Sequence, residues 1–194
     1  SEEELLAFAI QEVKDLHGKE IKEVFGVDIQ VPKLPFPRMS LKEAKDLIKA
    51  TGKEVSYEED LNPEEEKLTA QLVKEKFSHD FVFVTEFPWR IKPFYHMRKE
   101  TDPSVTKGFD LLWNGLEVTT GAQREHRYDI LVKQAKDKKL SLENVQFYLD
   151  FFKYGCPPHG GFGYGLTRGL ISMLNLKNVR EATYLFRDMD RLKP

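Results

Sequence analysis

Cysteine is nearly absent: Cys156 is the only one in 194 residues, which excludes an intramolecular disulfide and a cysteine-built metal cage and suits a reducing, cytoplasmic setting. Charge of one sign is also lacking. Lys and Arg number 30 against 32 Asp and Glu, and a formal net charge of −2 gives no global pull toward nucleic-acid phosphates. Such binding would need a local basic patch or another domain. No apolar run, Phe81 to Val84 among the longest, approaches the ~18 residues of a membrane-crossing helix. The acidic start Ser1-Glu2-Glu3-Glu4 is unlike a signal peptide, so neither membrane nor export is expected. Repeats and low-complexity tracts are missing too. What is there is 40% hydrophobic and 12% aromatic content over residues 1–194, a composition at odds with disorder. A single domain of this length buries about 70% of its unfolded surface.

Helices come first along the chain. Leu5, Leu6, Ala9, Ile10, Val13 and Leu16 fall at helical spacing, with Gly18 placed to end the run in a left-handed cap. Three prolines between Val31 and Pro37 read as an extended connector. Ser40 and Glu43 fit a capping box for a helix ending at Gly52. Asn62-Pro63 with Glu65 starts a third helix running to Phe77. The pattern then changes. Phe81 to Thr85 is β-branched and aromatic without polar alternation, as expected of a strand covered on both faces. Phe109 to Trp113 and Leu116 to Thr120 flank Asn114-Gly115, the dipeptide suited to a two-residue hairpin turn. Further helices are predicted over Arg124–Lys136 and Ser141–Tyr154, and a glycine-rich segment, Gly155 to Gly169, leads into a last one. The whole predicts an α+β domain, mainly helical over 1–79, with a largely antiparallel sheet in 80–194.

The hairpin carries Asp110 and Glu117, and two carboxylates at one end of adjacent strands suit a hard cation such as magnesium, with Thr120 adding a hydroxyl. Solvated acids on a strand face are the plainer alternative. Arg124 would emerge from the same strand, where a guanidinium can clamp a substrate carboxylate through two parallel hydrogen bonds or simply pair with Asp110 or Glu117. Glycines 161, 163 and 165 clear one face of an extended segment for a flat ligand, and Arg168 follows near a helix N-terminus that favours anions. The alternative is a tight strand-to-helix turn with a surface arginine. No serine or cysteine elbow stands ready to use His159, Cys156 reads as a small packing residue, and His96 and His126 lack metal-ligand spacing. Pro93-Phe94-Tyr95 reads as core or a rigid turn.

Four colinear blocks are more specific than any of these motifs: FVFVTEFPWRIKPFYHM, FDLLWNGLEVTTGAQREHRYDIL, FKYGCPPHGGFGYGLTRGL and NVREATYLFRDMDRLKP. Together they resemble the C-terminal half of the catalytic domain of archaeal and eukaryotic-type aspartyl-tRNA synthetases, strongly from Phe81 to Pro194 and more loosely before it. The resemblance implies a class II synthetase-like antiparallel sheet flanked by helices, a partial catalytic domain that activates aspartate with ATP and passes it to tRNA. It implies Glu117 as a magnesium and ATP ligand, Asp110 as a further metal carboxylate, and Thr120 as the hydroxyl touching metal and aspartate. Arg124 would bind the aspartate side chain, and Gly165, Leu166, Thr167 and Arg168 would form the third class II motif at ATP. Thr167 stands where the family usually has glutamate, and Phe186 where it has proline. The first and second class II motifs and the anticodon-binding barrel are not found in the sequence. The expectation is therefore part of a longer, homodimeric, cytoplasmic synthetase, with this chain alone unable to activate aspartate. A non-catalytic synthetase-like module binding ATP or a protein, and an asparaginyl-tRNA synthetase or asparagine synthetase relative, are the alternatives.

Overall fold

The computed structural model describes residues 1–193. Pro194, the last residue of the fourth block, lies outside the described residues. The order is α1 (Glu2–Phe25), β1 (Arg38–Ser40), α2 (Leu41–Ala50), α3 (Pro63–Phe77), β2 (Phe81–Thr85), β3 (Gly108–Trp113), β4 (Leu116–Gln123), α4 (Tyr128–Asp137), α5 (Leu142–Lys153), β5 (Gly160–Tyr164) and α6 (Leu166–Leu174), then a 3-10 turn at Val179–Ala182. The sheet runs β1-β2-β3-β4-β5 in sequence order, parallel between β1 and β2 and antiparallel elsewhere. This is the expected α+β class. The short parallel strand β1 is an addition, since three residues carry no periodic signal.

Local chemistry sets most boundaries. Ser40 and Glu43 make the reciprocal capping box, Ser40 Oγ accepting from Glu43 N at 3.2 Å and the Glu43 carboxylate from Ser40 N at 2.7 Å. Asn62 Oδ1 accepts from the amides of Glu64 and Glu65, with Pro63 at the first helical position. Asn114 at φ 51° and Gly115 at φ 79° make the expected tight turn. Three boundaries are corrected. α1 runs through Gly18 and ends at Gly26, whose φ of 69° supplies the left-handed cap. An interior glycine weakens a helix by only about 1 kcal/mol, and Ile21 still packs on the core. β4 continues to Gln123, beyond Thr120. The fourth helix begins at Tyr128, because Arg124 is still extended and bridged to His96.

The sheet separates two cores. Val82, Val84 and Leu112 meet Leu41, Ala44 and Ile48 of α2 and Val73 of α3. On the other side Phe81, Phe83, Leu111 and Trp113 cover Leu6 and Ile10 of α1. A third cluster joins Phe94 to Leu131 and Ala135 of α4 and Leu149 and Phe152 of α5. The run Pro93-Phe94-Tyr95 thus contributes to a core. No helix among the described residues is long and apolar enough to cross a membrane.

Candidate functional site: an open face over β3, β4 and β5

The site is organised by a bulge. A regular hairpin from Asn114-Gly115 would put Glu117 and Thr120, three apart, on opposite faces of β4. Instead the register slips between Leu111, which faces Thr119, and Leu112, which faces Glu117, so that Val118 is the extra residue. Cross-strand partners share a face, and Asp110 faces Thr120. Asp110, Glu117 and Thr120 thereby come to one side. The slip also frees carbonyls on β4: Gly165 N donates to Val118 O at 2.8 Å, and Arg168 Nη1 to Glu117 O at 2.8 Å. These bonds seat the start of α6 against the bulge.

Arg168 Nη1 also reaches Glu117 Oε1 at 3.2 Å, in a pair whose side chains remain 50% and 32% exposed. A pair this exposed contributes at most about 1 kcal/mol and can be exchanged for another anion. Asp110 is buried, and its Oδ2 accepts from Lys92 Nζ at 2.9 Å while Oδ1 has no hydrogen-bond partner among the described residues. Lys92 lies 3.6 Å from Asp60 as well. Burial raises the Asp110 carboxyl above its usual range, against the nearby Lys92 charge. Burial also raises Glu117, with the charge of Asp110 acting in the same direction and Arg168 against it.

Beside these groups the sheet has a bare floor. Gly163 faces Thr120 and Gly161 faces Ala122, and a Cβ built on either glycine would meet nothing within 4 Å. Nothing among the described residues requires glycine there. The expected run is split, however: Gly165 is the N-cap of α6 and not a third strand glycine. Leu166 and Thr167 open the helix, and Arg168 follows in its first turn.

Strand alternation carries Arg124 to the face of Thr120. Its guanidinium stacks 4.8 Å from the centre of the Tyr95 ring, and among the described residues it enters no ion pair. Pairing with Asp110 or Glu117 is thus corrected, since Lys92 and Arg168 occupy those carboxylates. His96 is buried against this region. Burial first, then the charges of Arg124, Lys92 and Lys138, lower its pKa to about 4, which keeps the imidazole neutral. Cys156 Sγ lies 3.5 Å from His159 Nδ1, while His159 stacks on Phe152 and its carbonyl accepts from Arg124 N.

Two residues escaped the sequence reading. Lys92 lies in an irregular turn between Pro88 and Pro93, where no periodicity marks it. Glu66 reads as one of three acids in the first turn of α3. Folded, Glu66 is half-buried, and burial followed by the charge of Glu117 raises its pKa to about 7, with Arg168 opposing. Among the described residues no group of three or more His, Cys, Asp or Glu side chains is arranged to hold a metal. The donors present, two carboxylates with a buried free oxygen and a hydroxyl, suit a hard cation that keeps water and phosphate in its other positions.

A family model described as tRNA synthetases class II (D, K and N) matches residues 1–188. The aspartate–tRNA(Asp/Asn) ligase of Aeropyrum pernix is 46% identical over 188 residues, 96% of this chain and 42% of that protein. The aspartate–tRNA(Asp) ligase of Thermococcus kodakarensis is 42% identical over 192 residues, 99% of this chain and 44% of its own length. Among solved structures, an aspartyl-tRNA synthetase from Entamoeba histolytica superposes with a TM-score of 0.92 at 31% identity, over 99% of this chain and 40% of that one. An asparaginyl-tRNA synthetase from Pyrococcus horikoshii gives 0.88 at 33%, over 100% of this chain and 46% of that one. The chain therefore spans less than half the length of the relatives it matches. With a matched fold over nearly every residue and a sheet face that gathers carboxylates, arginines and bare glycines, the chain belongs to the class II tRNA synthetase family.

Proposed function

We propose that this chain forms the amino-acid and ATP face of an aspartate–tRNA ligase, as a single domain in the C-terminal part of its catalytic core. The observation that carries the reading is the bulge, which puts Glu117 with Arg168 beside Thr120 and the Gly161–Gly163 floor. The adenine and ribose lie over the bare strand, and Arg168 exchanges Glu117 for phosphate. Gly165, Leu166 and Thr167 hold the start of α6, whose free N–H groups face the same anion. Arg124, in no ion pair among the described residues, grips the aspartate side-chain carboxylate through its planar fork. Lys92 supplies a second cation to that end of the site.

In the reaction an aspartate α-carboxylate oxygen attacks the α-phosphorus of ATP, forming the mixed anhydride as the bond to pyrophosphate breaks. No side chain here acts as nucleophile. The residues align the two reactants and neutralise charge. Asp110, Glu117 and Thr120 would hold magnesium with ATP, which supplies charge neutralisation at the phosphates. The tRNA, the second subunit of a homodimer and the cytoplasmic setting belong to the same reading. Without the first two class II motifs, this chain binds both small ligands and does not by itself support adenylate formation.

Calorimetric titration tests it. Wild type should bind ATP with magnesium, Glu117→Gln should lose the magnesium-dependent part, and Arg168→Ala should weaken ATP generally. Unchanged ATP affinity in both variants would refute the assignment. Aspartate-dependent pyrophosphate exchange by the full polypeptide, set against asparagine, decides the amino acid.

A further inference from the structure

Lys92 is carried by a turn with little regular structure, yet its ammonium is held at Asp110 with the side chain only 11% exposed. The backbone around it is held from outside by Ser104 O, which accepts from Trp89 N at 2.8 Å, by Glu125 N, which donates to Tyr95 O at 2.9 Å, and by α4 with the residue that caps it. Gln134, 1% exposed, donates from Nε2 to the carbonyls of Phe94 at 2.6 Å and His96 at 3.2 Å. One helical turn on, Lys138 donates from Nζ to the carbonyls of Trp89 at 2.8 Å and Arg90 at 2.6 Å. Its ammonium also lies 4.2 Å from the centre of the Trp89 ring. Residues four apart share a helix face, so one edge of α4 grips the chain on both sides of Lys92. The backbone bonds that flank Lys92 most closely are local, Ile91 N to Pro88 O and His96 N to Pro93 O. A side chain on such a segment keeps its direction only while both flanks are held.

We infer that Gln134 and Lys138 are positioning residues, which fix the turn from Trp89 to His96 so that the Lys92 ammonium stays aimed at the amino-acid end of the site. The inference rests on the proposed function for what Lys92 does to a ligand, but not for the grip itself. An apolar residue at 134 leaves two buried carbonyls without a donor, and one at 138 removes the bonds to the part-buried Trp89 carbonyl and the exposed Arg90 carbonyl; either change lets the turn open locally.

The test uses amine acylation of the whole chain, read residue by residue by mass spectrometry. Lys45, buried in a separate ion pair with Glu65 at 2.8 Å, is the internal control for global folding. Lys138→Met and Gln134→Leu should each raise the acylation rate of Lys92 about ten-fold, the change in opening that corresponds to about 1.4 kcal/mol. Lys45 should stay protected, and Lys138→Arg, which keeps a cationic donor, should restore the slow rate. Aspartate affinity should fall about ten-fold in the same two variants with ATP affinity within about two-fold. A Lys92 rate that is unchanged in both variants, or that rises only in step with Lys45, overturns the inference. Should Lys138→Met fail to fold, Gln134→Leu decides alone. A wild-type chain that takes up no aspartate overturns the functional reading, while the acylation rates still support or overturn the grip.

Discussion

At the scale of the residue, what distinguishes the site is which charges are left without partners. Asp110 and Glu117 have cations of their own, whereas Arg124 lies on a tyrosine face with no anion in reach among the described residues. Arg124→Lys should weaken aspartate about ten-fold and ATP by less than about two-fold, because an ammonium cannot reproduce the two parallel bonds of a guanidinium. Titration of both ligands checks it, and equal losses contradict the role. Glu66 makes a separate prediction. Its pKa is raised to about 7 from the ordinary glutamate value of 4.5, so the folded chain binds more protons than the unfolded chain between those values. Stability from this group is present below about pH 4.5 and is lost as pH rises through about 7. Glu66→Gln should remove that slope, worth about 1 kcal/mol after allowance for the screening of a half-exposed group. Urea unfolding from pH 4.5 to 8 measures it, and parallel profiles for the two proteins would exclude the shift.

At the scale of the element, glycines and a buried ion pair away from the site separate folding from binding. Gly163 borders open space, so Gly163→Val should leave the unfolding midpoint almost unchanged, since valine suits a strand. Ligand titration should nevertheless show weaker ATP, and normal binding would mean that the floor is not used. Lys45 of α2 is the opposite case. Its ammonium bonds the Glu65 carboxylate at 2.8 Å and Asp60 O at 3.0 Å, and the side chain is 1% exposed. Lys45→Met strands a buried carboxylate and should destabilise the fold by about 3 kcal/mol. Denaturant unfolding reads this, with an unchanged midpoint as the contrary result. The caps of α2 and α3 and the Asn114-Gly115 turn were legible because each depends on residues within a few positions. The end of α1 was not, since Gly18 and Gly26 look alike until tertiary packing decides which one stays helical.

At the scale of the whole molecule, the helical residues 1–79 and the sheet that follows do not have separate cores. β2 and β3 supply both faces, one to α2 and α3 and the other to α1. The chain should therefore unfold in one cooperative transition, with tryptophan fluorescence and far-ultraviolet circular dichroism coinciding. Two resolved transitions would mean two independent units.

The sequence by itself determined most of the elements, though not β1 or every boundary, together with the class of fold and the family, because short-range periodicity, caps and four colinear blocks are properties of neighbours along the chain. It also nominated Asp110, Glu117, Thr120, Arg124 and Arg168 as site residues. Only the tertiary structure decided how these meet. The slip at Val118 that turns Glu117 toward Thr120 depends on how β4 pairs with β3, and the counter-charges from Lys92 and Arg168 and the approach of Glu66 join residues of separate elements. Such pairings are set by sheet register and by burial of charge, and neither is encoded in any local run of residues.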